Sequence, residues 1–422
     1  MSSAVTTFRS RPFVRSPAAA RTSERGLQRR VMLAWGLLVL NVLTWEPNTT
    51  ILHIPSILGQ AITQGSLSAS LLVLLTVNRR LIIRPNVFLC LPSLLVIEAV
   101  LTCLEAQYLK GTAYRTFRLA EFVVVLWLFT PFWGRRDLLL ARCHLKAMTI
   151  VLVSVAVGKV IAPGRASDSG RLQGIIWPIP PTQVAHYAAI TLGMGAVLWF
   201  CGYKRGKPAA FGVLGCAAIL ILTHTRTALV GLLLGLLVAG LSLIVAEARV
   251  RRIFVAGGAA GIAAALAFSG PITTWLARGE GTSQLTKLSG RTNFWGPILA
   301  YPRNKFEEIF GFGLSNAQFG GLPIDSNWIA SYNEQGLFGI VICATMLLFL
   351  IVTAYFQPRG VQRALALFLV IYCLVASFTE VGFTDASSYL LDMTVAASLL
   401  VPAVVSRREP RDRAELDGLG KA

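Results

Sequence analysis

The sequence predicts an all-α, polytopic integral membrane protein of about twelve transmembrane helices, with one long extracytoplasmic loop carrying short helices. Three observations predict it. Of the 422 residues, 55% are hydrophobic and only 14% charged, and the mean hydropathy is +0.64, outside the usual balance of soluble domains. The apolar residues fall in runs near the length of about 20 that crosses a hydrocarbon core. The Lys and Arg residues punctuate those runs instead of gathering in one patch, so the net charge of +19 reports topology and not a nucleic-acid partner.

Residues 1–30 are basic and rich in Ser, Pro and Ala, the composition of a disordered tail. The apolar run that follows ends at Trp45-Glu46-Pro47 without a small-residue cleavage site, which makes it a retained first helix and not a removed signal peptide. Spans are expected over 31–45, 54–77, 87–109, 119–133, 145–162, 182–203, 209–223, 227–246, 253–270, 336–356, 364–379 and 386–405. The chain thus divides into a tail (1–30), nine spans (31–270), a loop (271–335), three spans (336–405) and a second tail (406–422). With the N-terminus inside, 27 of the 39 Lys and Arg fall in the tails and inner connections, as the positive-inside rule requires. Both termini are then cytoplasmic and the loop from Pro271 lies outside.

Neither metal nor cofactor is expected. The seven cysteines show no CxxC or His/Cys spacing, and the four histidines are scattered. There is no GxxxxGK[ST] loop and no GxGxxG after a strand, so any activated donor would already reside in the membrane.

Outer connections should be poor in Arg, and those that persist are candidates for gripping phosphate with a planar fork. Arg226 sits in the short connection Thr223-His224-Thr225-Arg226-Thr227, Arg171 precedes the Pro-rich approach to the sixth span, and Arg291 and Arg303 lie in the long loop. An Arg at such a boundary equally serves by snorkelling or by bonding helix-terminal carbonyls. Asp325 and Glu334 are the best placed carboxylates for taking a hydroxyl proton, and Asn327 is the neighbouring polar candidate for substrate contact. The competing roles are a cap or turn for Asp325 and a favourable helix-dipole position for Glu334. Glu98, Glu121 and Asp392 fall inside expected spans, where a charge costs about 2.5 to 3.5 kcal/mol and tends to face a partner or a cavity.

The order of these motifs resembles the O-antigen ligase and O-antigen polymerase family, integral membrane glycosyltransferases of the GT-C kind. The matching residues are Arg171 with Gly174 ahead of Pro181-Thr182-Gln183, Thr225-Arg226-Thr227, Ser289-Gly290-Arg291 with Trp295, Gly311 with Gly313, and Asp325-Ser326 with Glu334-Gln335-Gly336. Asp325 stands where ligases carry a His, which leans toward the polymerase branch. The resemblance implies a glycan on a polyprenyl diphosphate carrier as donor, a glycan acceptor, and transfer on the outer face of a bacterial plasma membrane without metal or cofactor. It also implies that Arg226, Arg291 and Arg171 hold the diphosphate while Asp325 or Glu334 acts on the acceptor. Flippase and chain-length proteins are the partners expected beside the bilayer.

Two other classes compete. A secondary transporter or flippase would use Glu98, Asp392 and Lys159 as coupling sites, and a scaffold protein would use the outer loop to dock a partner. Ligase-type transfer of a finished glycan to a lipid or other acceptor is the close alternative within the enzyme class.

Overall fold

The computed structural model describes residues 17–45, 55–105, 109–135, 138–168, 170–203, 207–245, 248–268, 270, 292–314 and 318–402. Among these the chain is almost entirely helical: α1 (Pro17–Asn41), α2 (Ser56–Val77), α3 (Val87–Cys103), α4 (Leu109–Phe129), α5 (Leu139–Ile161), α6 (Pro181–Phe200), α7 (Lys207–Leu222), α8 (Arg226–Leu243), α9 (Ala248–Ala267), α10 (Thr292–Ala300), α11 (Lys305–Phe310), α12 (Asn327–Phe356), α13 (Val361–Ala376) and α14 (Ser388–Leu400). The strands described are two short antiparallel hairpins, β1 (Ser167–Asp168) with β2 (Arg171–Leu172) and β3 (Gln318–Phe319) with β4 (Leu322–Pro323). Among the described residues, five helices are long and apolar enough to cross a membrane: α2 from Ile57, α5, α6, α8 and α12; α3, the Phe211–Leu222 part of α7, α13 and α14 are apolar but shorter.

The core is closed by close helix approach. Gly231 and Gly235, one turn apart on α8, leave room for the Tyr372 and Phe368 rings of α13, and Gly193 of α6 accepts the Phe368 ring from the other side. Small residues at such spacing let helices pack by dispersion where lipid removes any hydrophobic drive. Trp35, Phe88, Phe122 and Phe129 fill the first half of the bundle, all fully buried.

Three expected boundaries move. The helix of α1 starts at Pro17, inside the segment expected as disordered tail, because Ala18 to Ala20, Leu27 and Gln28 are good helix formers and Arg135 donates to Glu24 at 2.8 Å. The span expected over 87–109 ends at Cys103, and α4 begins at Leu109, ten residues ahead of the apolar run from Leu119. The long loop ends early, since α12 begins at Asn327 and runs through Gly336, where the backbone breaks from helical geometry (φ 63°, ψ −157°). Short helices do occur in the loop: α10 carries Pro297 in its interior, and α11 opens with a capping box between Asn304 and Glu307. Residues 271–291, including Arg291 and its Ser289-Gly290 neighbours, lie outside the described residues.

Candidate functional site

The break in α12 and the segment before it form one unit. A continuous helix would satisfy the Tyr332, Asn333 and Glu334 carbonyls from its next turn. Here Arg303 Nη1 donates to Tyr332 O at 3.1 Å, Phe312 N to Asn333 O at 3.0 Å and Gly313 N to Glu334 O at 2.9 Å. The approach is too close for side chains. A Cβ on Gly311 (φ 75°) would stand 2.4 Å from Gln335 N, and one on Gly336 would stand 2.4 Å from Ile309 C. Both glycines also lie in the left-handed region. The Gly-x-Gly and Glu-Gln-Gly motifs are therefore two sides of one contact, and that contact fixes the direction of Glu334.

A second face of the same half-helix holds the loop before α14. Asn327, Ser331 and Gln335 recur every fourth residue, so they line one stripe. Asn327 Oδ1 accepts from Gly382 N at 3.2 Å and Phe383 N at 2.9 Å, Ser331 Oγ lies 3.2 Å from Thr384 Oγ1, and Gln335 Nε2 donates to Thr384 O at 3.2 Å. The loop so held presents Asp385.

Between these parts opens a cavity of about 1490 Å³, at the end of the bundle where α1 finishes and α2, α4, α6 and α14 begin. Arg115 and Arg118, three residues apart on the first turns of α4, share its wall. Arg115 Nη1 donates to Glu334 Oε1 at 3.1 Å, and Nη2 donates to Asp385 Oδ2. Arg118 Nη2 donates to Asn41 O at 3.1 Å and to Ala386 O at 3.2 Å, both neutral acceptors, and among the described residues no carboxylate is within ion-pair distance of it. Burial alone would raise the Asp385 carboxyl, but the Arg115 and Arg118 guanidiniums outweigh it and hold the group below the usual carboxylate range. Gln183 secures the opposite rim, accepting from Thr44 N and donating to Val42 O, both at 2.9 Å.

Of the residues expected at a site, Glu334 lines this cavity. Arg171 instead binds the turn between α7 and α8, donating to Thr223 O at 3.1 Å and Thr225 Oγ1 at 3.2 Å. Arg226 opens α8 beside that turn, so the two arginines are brought together, off the cavity lining. Arg303 is also off the lining; besides Tyr332 O it donates to Ile298 O and Asn333 Oδ1 and lies over the Phe312 and Tyr332 rings. Asn327 is fully buried under the loop, and Asp325 is exposed ahead of the Ser326 N-cap. Lys159 donates to Pro163 O and Ser167 Oγ, a local tie. Arg115 and Arg118 belong to the 12 Lys and Arg that fall outside the tails and inner connections, and neither they nor Asp385 and His186 stand out in the sequence as site residues. Their signal was a polar, helix-forming stretch, Lys110 to Arg118, directly before an apolar run.

A cavity with two arginines, one with no carboxylate at ion-pair distance among the described residues, and a buried and a half-buried carboxylate beside them can hold an anionic group and place a base next to it. No family model matches the chain and no curated protein does so.

Proposed function

We propose that the chain is a membrane glycosyltransferase which polymerises polyprenyl-diphosphate-linked oligosaccharide units on the extracytoplasmic face of a bacterial plasma membrane. The observation that carries the reading is the cavity lined by Arg118, which has no carboxylate at ion-pair distance among the described residues, with Glu334 set across from Asp385 on Arg115. Its size supports a glycan, because single drug-sized ligands occupy about 300 to 1,000 Å³. Orientation supports it as well. If the chain crosses twelve times with the basic connections inside, every element around the cavity has its lining end outside.

In this reading Arg118 takes the carrier diphosphate, together with whichever loop arginines reach it. The acceptor hydroxyl attacks the anomeric carbon, a new glycosidic bond forms, and the bond to the diphosphate breaks with its electron pair leaving on the carrier. The hydroxyl proton goes to the Glu334 carboxylate, whose pairing with Arg115 orients it. Asp325, exposed and away from the cavity lining, is the weaker candidate for that role.

The test is made in cells lacking the protein, complemented with Arg118→Ala or Glu334→Gln, with surface and lipid-linked glycans profiled by gel and mass spectrometry. Loss of long chains while single units still reach their final acceptor is the expected result. Long chains building up on the carrier would mean ligase-type transfer instead. Unchanged glycans with both variants would refute the site.

A further inference from the structure

Behind the cavity lies a chain of polar side chains that the reaction above does not use. Asp392 on α14 is fully buried between two imidazoles: His144 Nε2 of α5 hydrogen-bonds Oδ1 at 2.8 Å, and His186 Nε2 of α6 stands 3.0 Å from Oδ2 in close charge contact but outside hydrogen-bond geometry. The far nitrogens differ in their partners. Trp35 Nε1 donates to His144 Nδ1 at 3.3 Å, whereas His186 Nδ1 stands 3.2 Å from the Tyr372 hydroxyl.

That difference decides which imidazole can carry a proton. An indole N–H only donates, so His144 Nδ1 must accept and His144 is held as the neutral Nε2–H tautomer. A phenol hydroxyl donates or accepts, so His186 Nδ1 can be bare, accepting from Tyr372, or protonated, donating to it. A lone carboxylate inside a bundle is costly, and a cation on one neighbour offsets that cost far better than two neutral donors. His186 is also the member whose residue lines the cavity, within 4.4 Å of the Tyr389 ring on the same wall.

We propose that His186, backed by Asp392, is a proton-binding site in the cavity wall, with His144 a fixed neutral donor and the Tyr372 hydroxyl turning to follow the proton. The proton is held on Nδ1 against the Tyr372 hydroxyl, converting a buried carboxylate beside two neutral imidazoles into an imidazolium–carboxylate pair of no net charge. The remaining titratable groups around it are Tyr187 on α6, Tyr372 and Cys373 on α13, Tyr389 on α14 and Glu380 in the preceding loop. With the phenols and thiol neutral near pH 7, Asp392 and Glu380 supply the negative charge of this group, and Arg115, Arg118, Glu334 and Asp385 are the further charged residues on the same cavity wall. The site stands whether or not the cavity takes a glycan, so its failure and the failure of the glycosyl-transfer reading are separate results.

The test uses the full chain in nanodiscs of zwitterionic lipid, labelled with ¹⁵N-histidine and titrated by NMR. There are only four histidines, and the signals are assigned by elimination with His53→Gln, His224→Gln and His144→Gln. The expected result is that His186 shows two protonated ring nitrogens at the acid end and one at the alkaline end, while His144 keeps the neutral Nε2–H pattern throughout. Tyr372→Phe removes the acceptor for Nδ1–H and should lower the His186 midpoint. Asp392→Asn, where it folds, should lower it by about one to three pH units, as loss of an adjacent carboxylate does. A His186 neutral at every pH at which the wild type is folded overturns the proposal. So does proton uptake by His144, or a midpoint that Tyr372→Phe leaves unmoved.

Discussion

Arg115 is the residue whose removal tests the cavity's electrostatics most directly. It joins Glu334, which is 3% exposed, to Asp385, which is 13% exposed, while being itself 14% exposed. Arg115→Ala takes the ion-pair partner away from both carboxylates in a largely desolvated place, with Arg118 still acting on Asp385. Breaking such a buried pair from one side costs about 3 to 5 kcal/mol, far more than an exposed pair at about 0 to 1 kcal/mol. The pH dependence has a definite sign. The folded Asp385 carboxyl lies below its unfolded value, so its stabilisation is complete above the unfolded value of about 3.9 and is lost as pH falls through the folded one. In Arg115→Ala burial is opposed only by Arg118 and the Ala386 N–H, so the same carboxyl takes up a proton more readily, and the deficit against wild type should be largest at neutral pH and shrink toward pH 4. Reversible unfolding in mixed detergent micelles, followed by tryptophan fluorescence at several pH values, measures it. Adding Glu334→Gln and Asp385→Asn to the Arg115→Ala chain should restore most of the loss, because neither buried group then carries a charge. A deficit below about 1 kcal/mol, or one that persists unchanged in the triple variant, would refute the reasoning.

Asn327→Ala removes the acceptor of two buried backbone N–H groups, at about 1 to 3 kcal/mol for each group left unsatisfied. Hydrogen exchange should accelerate at Gly382 and Phe383 before any other part of the chain. Gly336→Ala forces a left-handed backbone, disfavoured by about 1 to 2 kcal/mol, onto a Cβ already 2.4 Å from Ile309. Folded yield and unfolding midpoint should therefore fall more than for alanine at Gly195, where a Cβ meets nothing within 4 Å. Arg303→Lys keeps the charge but not the fork that reaches Ile298 O, Tyr332 O and Asn333 Oδ1. It should lower the unfolding midpoint nearly as far as Arg303→Ala does.

The helices were legible because a membrane core demands long apolar runs, and Gly311, Gly313 and Gly336 were legible through the family resemblance; at Gly311 and Gly336 the close backbone contact is the physical reason that nothing larger fits. The arginines were not assignable in this way. Arg171 and Arg226 lie in polar connections next to apolar runs and Arg303 in the long loop, places where a phosphate clamp and a carbonyl staple require the same side chain. Only the partner distinguishes them, and for Arg171 and Arg303 the partners include backbone carbonyls. Arg115 and Arg118 were harder still, since hydropathy placed the helix at Leu119 and left them in a connection with no periodicity to show that they share a face.

The polar stripe of α12 explains why the cavity needs a broken helix. Unbroken, a helix sends residues one position apart some 100° around its axis, so Glu334 and Gln335 face different neighbours on the same turn. That divergence is used here: Gln335 holds the Asp385-bearing loop through Thr384 O while Glu334 meets Arg115 on α4. The half-helix must then be set against both partners at once, and its register depends on what happens at Gly336. Residues 303–313 supply that control from outside the membrane-crossing part of α12, through three carbonyl bonds and two glycine contacts. A change anywhere in that segment should thus reach the Glu334–Arg115–Asp385 cluster without touching it, which makes Gly311→Ala a more informative lesion than its distance from the cavity suggests. Loss of the Arg115 contact in that variant, read as the same pH-dependent deficit as Arg115→Ala, would show that the break is what aims the carboxylate; a deficit independent of pH would mean that packing alone was lost.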